Sequence, residues 1–224
     1  MNPVLAGIAL AIVAAAVVTV AAHDARSTVL GLAVVLIGTP VMAEPVPAAA
    51  GLAARTVAAI LAAYLLWVVT RDRPRTGRPG LPGASTEGSR IGWPADVLVA
   101  AAAFVVGFAA HGLGAPALGP SLASATGFAL AAVGLSAALT GRDVLRLGLG
   151  SLLLIDAGLI VRSALGGTPG DLEQLITAGA IVVLAGTLAA LAATARADGP
   201  GGFAFSLDRP RRHHEPDAHP LDPG

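Results

Sequence analysis

The sequence contains no cysteine and no lysine. Without cysteine the chain forms no disulfide, supplies no thiolate to zinc or an iron–sulfur cluster, and has no thiol nucleophile. All fourteen basic residues are arginine, which reads as the coding bias of a GC-rich bacterial genome and carries no chemistry of its own. Aromatic residues make up 4% and charged residues 12% of the chain, against about 25% charged in an ordinary soluble domain. Net charge is zero, so there is no electrostatic footprint for nucleic acid. No Walker, GxGxxG or HExxH pattern occurs, and no Ser/His/Asp set has a soluble surface to work on.

What is present is hydrocarbon. Of 224 residues, 55% are hydrophobic, and the mean hydropathy is +0.76. A water-soluble core has no use for that much apolar surface, so the bilayer is the expected solvent. The Ala, Val, Leu and Gly richness suits helices that approach closely. The N-terminal run Pro3–Ala22 lacks a basic leader and is long for a signal peptide, so we read it as a retained spanning helix.

Crossing a bilayer takes about 20 apolar residues. Seven candidates emerge: Val4–Ala22, Ser27–Ala43, Ala49–Thr70, Ala95–His111, Ser121–Thr140, Val144–Ala164 and Asp171–Thr194. The turn signal HGLGAPALGP separates the fourth from the fifth. The expected organisation is all-α and polytopic: helices one to three over residues 1–70, a cytoplasmic Arg/Pro/Gly linker at 71–94, helices four to seven over 95–196, and a disordered cytoplasmic tail at 197–224.

Arginine placement sets the expected topology. With the N-terminus outside and the C-terminus inside, twelve arginines fall on the cytoplasmic side, among them Arg26, Arg71, Arg142, Arg146 and Arg196. Only Arg55 and Arg162 fall toward the outer face. That asymmetry obeys the positive-inside rule. Trp67 and Trp93 fall near the inner interface, where tryptophan anchors helices. A three-helix parallel repeat is also suggested: VLGLAVVLIG and VLRLGLGSLLLI begin about 115 residues apart, each after a short charged turn.

One residue does not suit lipid. Asp156 sits in the sixth helix among Leu152, Leu153, Leu159 and Ile160, none of which can satisfy a carboxylate. An intramembrane charge costs ~2.5–3.5 kcal/mol on insertion scales unless it is compensated. Arg162 lies on another face of the same helix and can extend to the interface. Arg55, in the third helix, lies within roughly 3 Å of the same depth. The depth match predicts an interhelical Arg55–Asp156 pair. The alternatives are a protonated Asp156, one facing a neighbouring subunit, or one in a proton or ion path. A relay needs further titratable groups, and the sequence shows no second carboxylate well inside a span. His111 reads as an interfacial turn residue, and His213, His214 and His219 as part of a solvated tail.

Over the last three helices the sequence resembles a known family. The turn GRDVLR is followed by LGLGSLLLIDAGLIVRSAL, an acidic outer loop GGTPGDLEQL and ITAGAIVVLAGTLAAL. This pattern resembles hydrogenase-4 component E, the membrane subunit of formate hydrogenlyase-type complexes. It is more distantly similar to the K subunit of NADH-quinone oxidoreductase and the C subunit of Mrp antiporters. Arg142, Asp143, Leu145 and Arg146 match the turn; Gly148 and Gly150 follow it; Asp156 stands where the family has a polar residue. The family's carboxylates in the following helices have no counterpart at Leu152 or at Ala178, Gly179 and Ala180. The resemblance implies a non-catalytic membrane subunit, without cofactor, of a complex-I-like, ion-translocating hydrogenase or related oxidoreductase. Its partners would be lipid, larger antiporter-like subunits and a soluble redox module, in a bacterial inner membrane. A stand-alone small transporter, or a subunit of an Mrp-type cation/proton antiporter, is the alternative.

Overall fold

In the computed structural model the residues described are 3–22, 24–42, 48–71, 92–110, 121–140, 144–166 and 170–197. They form seven α-helices: α1 Pro3–Ala21, α2 Ala25–Gly38, α3 Ala49–Arg71, α4 Trp93–Ala109, α5 Ser121–Thr140, α6 Val144–Gly166 and α7 Asp171–Ala197. There is no strand among the described residues. α1, α3, α5, α6 and α7 are long and apolar enough to cross a membrane; α2 with its extension and α4 are shorter apolar helices. Among the described residues the architecture is all-helical, and five helices of membrane-spanning length and composition fit a membrane protein. The linker over 72–91 and the tail from 198 lie outside the described residues.

Local chemistry sets the helix ends. Asp24 caps α2: its carboxylate accepts hydrogen bonds from the Ser27 N–H at 2.9 Å and the Ser27 hydroxyl at 2.7 Å. The hydroxyl contact first, then the backbone N–H, holds the Asp24 carboxyl below its ordinary value of 3.8. At the other end Pro40 has no N–H to continue the α-helical ladder, and the chain tightens into a 3-10 turn over Thr39–Met42. Pro94 occupies the first turn of α4, where the missing N–H costs nothing. The segment expected as one helix to Ala43 is thus an α-helix with a 3-10 end, and α4 starts two residues before its expected boundary.

Packing relies on small residues, because lipid provides little hydrophobic drive between helices. α5 and α6 approach so closely that a Cβ on Gly150 would lie 2.6 Å from the Gly134 carbonyl oxygen, and one on Gly134 would lie 2.9 Å from that of Gly150. α4 reaches α5 the same way, at Gly107 against Ala125. α1 rests on α2 and α5, while α3 lies between α2 and α7. Ile12, Leu32, Leu36, Leu130, Leu152 and Leu153 fill the centre. The outward faces are just as apolar, with Val57, Leu98 and Val183 all more than 60% exposed. Most hydroxyl groups donate within their own helices, as Thr19, Thr70 and Thr126 do to the carbonyls of Ala15, Leu66 and Leu122, whereas Ser124 of α5 donates across to the Gly107 carbonyl of α4 at 3.0 Å.

Candidate functional site

Arg55 lies in the second turn of α3 and Asp156 past the middle of α6. In a water-filled protein that separation in sequence would predict nothing. In an apolar bundle each charge is intolerable alone, and the structure brings them together. Arg55 Nη2 donates to Asp156 Oδ1 at 2.6 Å. The side chains are 4% and 0% exposed. The interhelical pair expected from depth is present.

The pair is held by one contact, not a two-pronged one. Arg55 Nε and Asp156 Oδ2 are buried and have no hydrogen-bond partner among the described residues. The Thr39 hydroxyl, at the start of the 3-10 turn, faces the Asp156 carboxylate, although its own weak hydrogen bond goes to the Leu36 carbonyl at 3.4 Å. The turn at Pro40 is what carries Thr39 to this place. Beside Arg55 is a cavity of about 20 Å³, lined also by Thr39, Pro40, Leu159, Ile160, Ser163 and Gln174. Ser163 and Gln174 are each 5% exposed. Chemically the assembly is a compensated charge beside a small, half-open and mainly apolar space with a few polar groups at its edge. It has no nucleophile with a base, and among the described residues no group of three or more His, Cys, Asp or Glu is gathered as for a metal.

The other sequence candidates lie apart from this pair. Arg146, in the first turn of α6, donates from Nη2 to the Val20 carbonyl at 3.2 Å. There a guanidinium meets the C-terminal end of α1, a favourable place for positive charge. Arg142, Asp143, His111, His213, His214 and His219 lie outside the described residues. Arg162 forms an ion pair with Glu173 of α7, and both are partly exposed. Arg71 stacks over Trp67, 5.1 Å from the ring centre.

Sequence reasoning missed Asp96. It sits in the first turn of α4, is 4% exposed, and its Oδ2 has no partner among the described residues. It is a second buried carboxylate, at the end of a helix and not well inside a span. Asp96, Ala100 and Gly107 are the buried positions of α4 and fall on one helical stripe. A stripe that ends in Gly107, against the α5 backbone, predicts that Asp96 faces inward too.

The chain matches no family model, and no curated protein or solved structure matches it.

Proposed function

We propose that this protein is a non-catalytic structural subunit of a larger membrane assembly, crossing the bilayer seven times with its N-terminus outside and its C-terminus in the cytoplasm. The observation that carries this reading is how the interior uses its polar groups. The Arg55–Asp156 charges neutralise each other, and the space beside them is about 20 Å³, room for about one water and not for a solute. A transporter would instead need a cavity of substrate size lined by polar groups. The outer faces of α3, α4 and α7 carry exposed aliphatic side chains and can meet lipid or apolar helices of a neighbour.

The motif resemblance gives the assembly its type. The turn at Arg142, Asp143 and Arg146, the glycines Gly148 and Gly150, and Asp156 support a hydrogenase-4 component E-like subunit of an ion-translocating, complex-I-like oxidoreductase in a bacterial inner membrane. The buried pair would then hold α3 against α6 and fix the face offered to an antiporter-like partner. The two helix triplets, α1–α3 and α5–α7, are read as a parallel repeat. One observation favours the competing reading of a small transporter: a buried charge with polar neighbours at Thr39, Ser163 and Gln174 is the kind of place where ions travel. Affinity purification from native membranes in mild detergent separates the two. The subunit reading predicts stoichiometric recovery of large antiporter-like subunits with a redox module. Recovery of this chain alone, folded and monodisperse, refutes it.

A further inference from the structure

Arg55 spends one nitrogen on Asp156 and leaves another unused. Nη2 makes the ion pair. Nε is buried without a hydrogen-bond partner among the described residues. A guanidinium N–H taken out of water and given nothing in return bears its full desolvation cost. Arg55 also lines the cavity described above, together with the polar side chains of Thr39, Ser163 and Gln174.

Size and lining decide what that space holds. A cavity walled by hydrocarbon stays dry at this volume; one with two to four polar partners and at least ~10–15 Å³ holds a water. This half-open cavity measures about 20 Å³, so it passes the first test. The polar partners also have complementary needs. Ser163 already donates its hydroxyl proton to the Ile160 carbonyl at 2.8 Å, so its oxygen is left to accept. The Thr39 hydroxyl oxygen also accepts, whichever of the Leu36 carbonyl or the Asp156 carboxylate takes its proton. The side-chain carbonyl of Gln174 is a third acceptor. Arg55 Nε–H is the buried donor left without an acceptor among the described residues.

We propose that the polar corner formed by Thr39, Arg55, Ser163 and Gln174 in this half-open, otherwise apolar pocket is a water site that completes the hydrogen bonding of the Arg55 guanidinium. The water accepts from Arg55 Nε–H and donates to Ser163 Oγ and to Thr39 Oγ1 or the Gln174 amide oxygen. It reaches the ion pair from the α6 C-terminal end. Toward the other end of α6 the buried side chains of Leu149, Leu152 and Leu153 leave an apolar seal. The inference is independent of which assembly the protein joins.

The test is solid-state NMR of the full chain, uniformly labelled with ¹³C and ¹⁵N, in lipid bilayers. The Arg55 side chain is assigned through its own backbone. Magnetisation transfer from water to Arg55 Nε–H is the readout, and the Arg55 backbone N–H, within α3, is the dry reference. The expected result is transfer to Nε–H well above that reference, lost in Ser163→Leu and in Gln174→Leu, whose apolar side chains occupy the space or remove an acceptor. Absence of transfer in the wild-type chain overturns the proposal, and so does transfer unchanged in both folded variants. Should neither variant fold, the wild-type comparison alone decides between these outcomes.

Discussion

Removing one member of the Arg55–Asp156 pair should harm the protein more than removing both. The two charges sit in contact at 2.6 Å with side chains 4% and 0% exposed. Two unit charges about 4 Å apart attract by ~4 kcal/mol at an effective dielectric near 20. Breaking a buried pair by deleting one partner typically costs about 3–5 kcal/mol, because the survivor is stranded. Asp156→Leu should fall at the upper end of that range, since a guanidinium cannot shed its proton. Arg55→Met should fall at the lower end, since a stranded carboxylic acid can take one up. The double variant replaces the pair with hydrocarbon of similar bulk and should lie within ~1 kcal/mol of wild type, or above it. The assay is reversible unfolding in mixed micelles, with all four proteins measured together. Neutral interhelical hydrogen bonds in membranes couple by about 0.6 kcal/mol on average and at most about 1.7. A coupling above ~2 kcal/mol therefore identifies a charge pair. Additivity within about 0.5 kcal/mol would refute the reasoning, because it would mean that the contact carries no energy.

The same substitution should act oppositely at two glycines of α6. Gly150→Ala drives a Cβ to 2.6 Å from the Gly134 carbonyl oxygen and should cost ~1–3 kcal/mol in the same unfolding assay, whereas Gly158→Ala meets nothing within 4 Å and should be neutral or gain up to ~1 kcal/mol of helix propensity. Asp24→Ala should lower thermal stability at neutral pH. Because its pKa is lowered in the folded state, this contribution is present above the ordinary value of 3.8 and is lost as the pH falls through the folded value; the gap between variant and wild type should close in thermal scans below that range. A phosphatase reporter fused after Ala197 should be inactive and a cytoplasmic reporter at the same place active; the reverse would overturn the proposed topology.

Much of the fold was legible because the solvent is hydrocarbon. In such a chain a charged residue or a Gly/Pro cluster marks a boundary plainly. The break between α4 and α5 and the start of α7 at Asp171 could be read directly from composition. Arg55 and Asp156 were legible for the same reason, since two isolated opposite charges at matched depth have few other solutions. What was not legible is lateral. Nothing in an aliphatic sequence says that α3 packs on α7, or that α4 rests mainly against α5, because lipid-facing and helix-facing surfaces carry the same residues. Asp96 was hidden by its position: a carboxylate in a first helical turn reads as interfacial until the burial of Ala100 and Gly107 shows which face it shares. Thr39 and Gln174 became part of the site only through the 3-10 turn at Pro40 and the crossing of α7 over Gly51, where Gln174 Cγ would lie 3.1 Å from an added Cβ.

The most direct test of the account is the mass of the species that contains this chain in native membranes, measured by native mass spectrometry from mild detergent. The chain alone has a mass of 22.0 kDa. A structural subunit predicts that it is found within an assembly many times larger, at fixed stoichiometry with unlike chains. A stable species containing only this chain, as a monomer or a small homo-oligomer, would contradict it.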